Sequence, residues 1–176
     1  MAQMAAEALA LSEGMPIETA LESIAFQDEA SAVIDAIERE LGDASGDLWF
    51  DWSDNRGRSD YRGRLKIAVT TRCDPARIQA VRGILEQAGL SQRCDIVTVV
   101  WSAAELAAAQ QRAREVLEPL IGTAPFMAYL DASTNSVGIG VPGDLTAEQL
   151  KVVEAAVRAA TVSVRVETGA GYAVPA

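Results

Sequence analysis

The sequence predicts an α+β protein built from two similar α-β-β-α-β lobes in tandem, each with a small antiparallel sheet covered by helices. Three observations predict this class. Apolar residues follow helical spacing in some segments and strand alternation in others. Capping residues mark several helix starts, and one half of the chain aligns with the other. We expect residues 1–101 to form a helical leader and the first lobe, residues 102–168 the second lobe, and residues 169–176 a flexible C-terminal tail.

The first half of the chain opens with helices and continues with strands. A short helix is expected to end near Gly14, and Pro16 then opens a long helix whose apolar residues keep helical spacing up to Gly42. The stretches DLWFDW and RLKIAVTT predict two strands joined by an arginine-rich loop. Asp74 caps the next helix, with Pro75 at its first position. The β-branched stretch DIVTVVW then predicts a third strand.

The second half repeats this order. Ser102 and Glu105 form a capping box that opens an alanine-rich helix, which we expect to end near Gly122. The strands FMAYLDA and SVGIGV follow, joined by the turn STN. A second capping box at Thr146 and Gln149 opens the next helix, and the stretch TVSVRVE predicts the last strand.

An internal alignment links the two halves. An offset of 80 residues places the segment 49–51 on the segment 129–131, and an offset of 72 places the second strand and the Asp74 cap on their later counterparts. The difference of eight is the longer arginine-rich hairpin of the first half. The two halves are therefore predicted to be copies of one unit.

The stretch GIGVPG matches the spacing of a dinucleotide-binding loop, but its position argues against that function. Gly138 and Gly140 fall inside a predicted strand, whereas a phosphate-binding loop needs its glycines in the turn before a helix. We therefore expect no nucleotide site. The glycines leave a bare strand face that another backbone could approach, although a structural bulge explains them equally well.

Composition excludes several further classes. The formal charge of -10 opposes binding to nucleic acid, and no apolar run is long enough for a membrane span. The absence of histidine excludes Ser-His and Cys-His catalysis and histidine-bound zinc. Cys73 and Cys94 are predicted to be ordinary thiols rather than a disulfide, and Asp51 and Asp131 to set turns rather than form a carboxylate pair. We expect no catalytic residue, no metal and no cofactor.

Several segments carry a family resemblance. They are the leader LSEGMPIETALESIAFQDEAS, the hairpins LWFDW…RLKIAV and AYLDASTNSVGIGV, and the linker VVWSAAELAAAQQRAREVLEP. Together they resemble the pro-region of bacterial secreted chymotrypsin-like proteases of the alpha-lytic and streptogrisin type. The resemblance covers nearly the whole chain, and it rests on patterns of small residues rather than on a chemical signature.

The resemblance implies a folding chaperone and tight inhibitor of a chymotrypsin-like serine protease domain, acting in cis or in trans outside the cell. It implies no bond chemistry, and contact through the second-lobe sheet and the tail. The residues that it implicates are Val137, Ile139, Val162, Val164, Val166, Tyr172, Ala173, Val174, Pro175 and Ala176. The first residues lack signal-peptide features, which leaves a cytoplasmic location open. The alternative function is a free-standing protein-binding or regulatory module of the same fold, and an enzyme ranks third.

Overall fold

Helices and small sheets alternate along the chain, which confirms the predicted α+β class. The computed structural model describes residues 2–51, 63–120 and 124–169, so the predicted arginine-rich loop lies outside the described residues. The chain divides into two units, Met1–Thr98 and Val99–Ala176. Among the described helices, none is both long and apolar enough to cross a membrane.

In the described part of the first unit, 2–51 and 63–98, the chain forms three α-helices and three strands. In chain order they are α1 (Ala2–Glu13), α2 (Ile17–Leu41), β1 (Ser45–Asp51), β2 (Arg64–Thr70), α3 (Pro75–Gln87) and β3 (Cys94–Val99). The predicted boundaries are close to these. Gly14 ends α1 with a φ of 65°, a value that favours glycine. The carboxylate of Asp74 accepts a hydrogen bond of 2.8 Å from the backbone N–H of Ala76, which confirms the predicted cap of α3.

The core of the first unit lies between the sheet and helices α2 and α3. Leu65, Ile67 and Val69 alternate along β2 and are buried on this face. The ring of Phe26 from α2 packs edge-on against Phe50, with 5.8 Å between the ring centroids. The helices therefore cover one face of this sheet.

Where the structure describes the second unit, the chain forms two α-helices and three strands. In chain order they are α4 (Ala103–Leu117), β4 (Met127–Asp131), β5 (Ser136–Val141), α5 (Ala147–Ala160) and β6 (Val164–Thr168). A short 3₁₀ turn, Glu118–Leu120, follows α4. Both predicted capping boxes are present, at Ser102 with Glu105 and at Thr146 with Gln149.

Helices α4 and α5 pack against each other and cover one face of the second sheet. Their contact surface is rich in alanine: Ala109 and Ala113 of α4 and Ala156 of α5 are completely buried. Small side chains allow the two helix axes to come close, so the apolar residues of β5 are sealed beneath both helices.

Both sheets are mixed, which corrects the prediction of antiparallel sheets. In the second unit β4 pairs antiparallel with β5, but β5 pairs parallel with β6. The strand orders are β1-β2-β3 and β4-β5-β6. The physical reason is the connection, because a helix between two neighbouring strands carries the chain back to its starting end, and the next strand then runs in the same direction.

The side chain of Asn135 fastens the β4–β5 turn to the start of α4. Its Oδ1 accepts hydrogen bonds from the N–H groups of Val100 (3.1 Å) and Trp101 (2.8 Å), and its Nδ2 donates to the carbonyl of Trp101 (2.8 Å). Its backbone has a φ of 49°, in the left-handed region that asparagine tolerates.

We expect Asn135→Gly to lower the free energy of unfolding by about 2–3 kcal/mol, because glycine keeps the backbone conformation but loses three hydrogen bonds. Chemical denaturation measures this loss. The control is Asn135→Asp, which keeps the acceptor oxygen and should lose less. Equal stabilities for the two variants would contradict a fastening role of the amide.

Candidate functional site

Two of the predicted contact residues, Val137 and Ile139, lie on the inner face of β5. Both side chains are completely buried in the core of the second unit, together with Leu106 of α4 and Val153 of α5. A fully buried side chain offers a partner no surface. Val137 and Ile139 therefore attach β5 to the helices. A partner of this sheet would have to contact other residues.

The remaining predicted contact residues divide into two groups. Val162 and Val164 are half-buried against the same core, whereas Val166 on β6 is 39% exposed. The tail residues 172–176 lie outside the described residues. Only the region of β6 therefore brings predicted contact residues to the surface that the structure describes.

The outer face of the second sheet is covered by an aromatic ring rather than left bare. Tyr129 on β4 lies directly opposite Gly138 on β5. A Cβ atom built on Gly138 would overlap the ring of Tyr129, so the ring rests on the glycine backbone. At Gly138 this contact corrects the expectation of a bare strand face, and that glycine is explained by the close approach of the tyrosine.

An ion-pair cluster lies beside this ring. The guanidinium of Arg165 on β6 is 3.0 Å from a carboxylate oxygen of Asp131 and 3.0 Å from one of Glu167. Its Nη2 also lies 3.4 Å from the hydroxyl of Tyr129. Arg165 therefore links the edge strand β6 to the edge strand β4 across the central strand β5.

Asp131 belongs both to this cluster and to the β4–β5 turn. Its Oδ1 accepts hydrogen bonds from the hydroxyl of Ser133 (2.6 Å) and the N–H of Thr134 (3.2 Å), which confirms the predicted turn role. Burial by itself would raise the pKa of Asp131. The hydrogen bonds from Ser133 and Thr134 and the charge of Arg165 outweigh it and lower the pKa below its ordinary value.

The first sheet carries a comparable cluster on its outer face. Asp95 on β3 accepts hydrogen bonds from Arg64 Nε (2.6 Å) and Lys66 Nζ (2.9 Å) of β2. The hydrogen bond from Arg64 is the main reason that the pKa of Asp95 lies well below its usual range. Lys66 Nζ is also 3.6 Å from a carboxylate oxygen of Asp51. Asp51 and Asp131 are thus each held by a cation of their own sheet.

The two edges of the second sheet differ in how open they are. On β4 the carbonyl of Ala128 already accepts a hydrogen bond of 2.8 Å from the side-chain amide of Gln110 on α4. On the other edge, the carbonyl of Ser163 and the N–H of Gly169 form hydrogen bonds with β5. In a parallel pair the backbone groups of alternate residues bond to the neighbouring strand, so the N–H and C=O groups of Val164, Val166 and Thr168 point away from the sheet. The β6 edge can therefore accept another strand.

The two cysteines hold their thiols in an unreactive state. Cys73 and Cys94 are free and buried, as predicted, and burial raises the pKa of both thiols, that of Cys94 to about 11. Such a thiol is not an active nucleophile near neutral pH. Within the described ranges no group of three or more cysteine, aspartate or glutamate side chains is placed to hold a metal ion.

Sequence reasoning missed the roles of Tyr129, Arg165 and Gln110. The hairpin places Tyr129 directly opposite Gly138. This pairing of an aromatic residue with a glycine was the sequence signal that could have predicted the ring contact. The positions of Arg165 and Gln110 depend on contacts distant in sequence, and no local pattern marks them. No protein-family model matches the chain, and no curated protein matches it.

We expect Gly138→Ala to lower the free energy of unfolding by about 1–3 kcal/mol, because the added methyl group must displace the ring of Tyr129. The control is Gly143→Ala, whose new Cβ would lie at an ordinary 3.6 Å from its nearest neighbour, Gly169 Cα. Thermal denaturation compares the two. In the background Tyr129→Ala the Gly138→Ala change should cost much less, and an undiminished cost would contradict the contact.

The lowered pKa of Asp131 predicts a pH-dependent contribution to stability. The contribution is complete well above the ordinary value of 3.8 and is lost as the pH falls through the lowered folded-state pKa. Asp131→Asn keeps the turn acceptor but loses the charge. We expect it to lower stability at pH 7 by up to about 1 kcal/mol and to reduce the loss between pH 5 and pH 2. Denaturation at several pH values measures this, with Asp144→Asn, an exposed position, as control. Parallel curves for wild type and Asp131→Asn would contradict it.

Proposed function

We propose that this chain is a pro-region that chaperones the folding of a chymotrypsin-like serine protease domain and then inhibits it. The observation that carries the proposal is the open edge of β6. Main-chain groups of Val164, Val166 and Thr168 point outward there, beside a rigid face made by Tyr129 and Arg165. A strand of the protease adds to this edge, where main-chain hydrogen bonds provide affinity and neighbouring side chains provide selectivity.

The outer face suits this role because it is already ordered. Tyrosine and arginine are the residue types that most often dominate binding energy at protein interfaces. Here the glycine beneath Tyr129 and the carboxylates beside Arg165 fix both side chains before a partner arrives. A fixed surface loses little conformational entropy on binding, which is what a tight inhibitor requires.

The buried valine and isoleucine of β5 and the tail have separate parts in this proposal. Val137 and Ile139 hold β5, and through it β6, on the helices, while Val162 and Val164 anchor the start of β6. The segment Tyr172–Ala176 follows β6 in sequence. In the family that the chain resembles, the corresponding segment occupies the protease cleft like a product, and we propose the same role here.

We also infer that the two units arose by tandem duplication. The register supports this, since the segment 49–51 pairs with 64–66 in the same order as 129–131 pairs with 136–138. The helix caps support it as well, because Asp74 and Thr146 stand at the positions that the offset of 72 predicts. One copy contributes the open β6 edge.

The chain acts without catalysis in this proposal. Its buried thiols have raised pKa values, and the carboxylates of Asp95 and Asp131 are held as ion pairs. A pro-region needs none of these groups for chemistry, because it lowers a folding barrier through binding energy alone. Of these groups, only Asp131 lies beside the proposed contact surface, where its ion pair helps to position Arg165.

The test is refolding of a denatured protease domain of the streptogrisin type with this chain added in trans. Micromolar chain should raise the yield of native protease and, in excess, suppress its activity. Val166→Pro removes an outward N–H of β6 but no hydrogen bond to β5, so it should weaken both effects at least about 10-fold. Thr98→Pro at the edge of β3 is the matched control and should change neither effect.

Unchanged refolding yield and unchanged protease activity at micromolar chain would contradict the pro-region function. In that case the open edge of β6 would serve a free-standing binding module of the same fold. Equal effects of Val166→Pro and Thr98→Pro would contradict β6 as the contact edge.

A further inference from the structure

A cleft of about 390 Å³ opens in the first unit between the second half of α3 and the strand β3. Helix α3 contributes Arg82, Leu85 and Glu86, and the strand contributes Cys94, Asp95 and Ile96. Leu85, Cys94 and Ile96 form an apolar floor that belongs to the core of this unit. The proposed function makes no use of this cleft.

The cleft lies across the outer edge of β3. Cys94 and Ile96 point toward the helices, whereas Asp95 points to the opposite face of the sheet, where it pairs with Arg64 and Lys66. Side chains from both faces of one strand line a common cleft only where the strand edge itself is open. β3 is the last strand in the order β1-β2-β3, which agrees with this position.

The main chain of β3 offers hydrogen-bonding groups along this edge. The N–H of Leu65 on β2 donates to the carbonyl of Arg93 at 2.9 Å. In a parallel pair alternate residues bond to the neighbouring strand. The backbone groups of Cys94, Ile96 and Thr98 are therefore directed to the outer side, and two of these three residues line the cleft.

Within the described residues, the β3 edge lacks the features that protect the edges of β1 and β4. β1 is irregular at Ser45 and Asp47, where a bulge shifts the register, and Asp47 has a φ of 100°. The β4 edge is bonded by Gln110.

β3 reads CDIVTV, without proline or lysine. Its only charge, Asp95, is neutralised by two cations of β2. An edge of β-branched residues without such protection favours the addition of a strand.

The cleft carries both signs of charge, because Arg82 and Glu86 lie one turn apart on α3 and Asp95 lies on the strand side. Arg82 is exposed, and within the described residues it makes no ion pair or hydrogen bond. Its guanidinium is therefore the group in the cleft that can bind a carboxylate, with two hydrogen bonds.

We propose that the β3 edge and its cleft bind an extended peptide segment of another protein as a fourth strand of the first sheet. An apolar side chain of the peptide rests on Leu85 and Ile96, and a carboxylate of the peptide pairs with Arg82. The peptide is recognised by its extended backbone and by the spacing between one apolar side chain and one acidic group. This site is independent of the β6 edge.

The probe is an acetylated eight-residue peptide that alternates valine and threonine and ends in a free carboxylate, added to the full ¹⁵N-labelled chain. We expect the amide signals of Cys94, Ile96 and Thr98 to shift and their hydrogen exchange to slow as the peptide is added. The same peptide with a C-terminal amide should bind about 5-fold more weakly, because it lacks the charge that pairs with Arg82.

Two variants test the two halves of the site. Arg82→Glu should weaken binding of the carboxylate peptide at least about 5-fold and remove its preference over the amide. Its matched control is Arg158→Glu, an exposed arginine on α5, which should leave the affinity unchanged. Thr98→Pro should weaken both peptides by removing an edge N–H, whereas Val166→Pro on β6 should not.

Three results would overturn the proposal. The first is an absence of shifts in β3 up to millimolar peptide, and the second is shifts that map to β6 instead. The third is self-association of the chain that disappears in Thr98→Pro, since a second copy would then occupy the edge.

Discussion

The structure depends on how the central strand of each small sheet is covered on both faces. Helices cover only one face, so the other face must be closed by side chains of the sheet itself. In the second unit the ring of Tyr129 covers Gly138 on that face, the helices cover the apolar residues of β5 on the other, and every residue of β5 is buried. On the inner face, the apolar residues of β5 pack against the helices, and on the outer face Gly138 leaves room for the ring of Tyr129. The alternation of apolar residues and glycine in β5 follows from this position between two layers.

The same requirement explains where the charges lie. The outer face of each sheet carries carboxylates that are partly shielded from water, and each is compensated by a cation on a neighbouring strand. Arg165 serves Asp131 and Glu167, and Lys66 serves Asp51 and Asp95. Further arginines act within single units, as Arg112 does by donating to the carbonyls of Ala159 and Ala160 at the end of α5. In a chain of net charge -10, these cations offset the repulsion between neighbouring carboxylates on each sheet.

The parts of the fold that could be predicted from the sequence depend on local signals. A helix cap needs only a few consecutive residues, so Asp74 and the two capping boxes were found where the structure has them. The direction of β6 could not be read locally, because it follows from the crossover through α5. The burial of Val137 and Ile139 was already implied by their alternation. The prediction that Val137 and Ile139 contact a partner came from the family resemblance instead. That resemblance does not indicate which side of the strand faces the helices.

A partner that adds a strand to such a sheet also changes the stability of the unit that binds it. A three-stranded sheet has two edges and one central strand, so a fourth strand turns an edge strand into a covered one and adds main-chain hydrogen bonds where water was bound before. Any partner that binds only the folded unit stabilises it, by an amount that grows with the partner concentration relative to Kd. Because linkage is reciprocal, the unit also favours the bound conformation of its partner. A small, well-ordered sheet with one open edge can therefore promote the folding of another protein without any catalytic group, provided that the added strand exists in the partner only when the partner is folded.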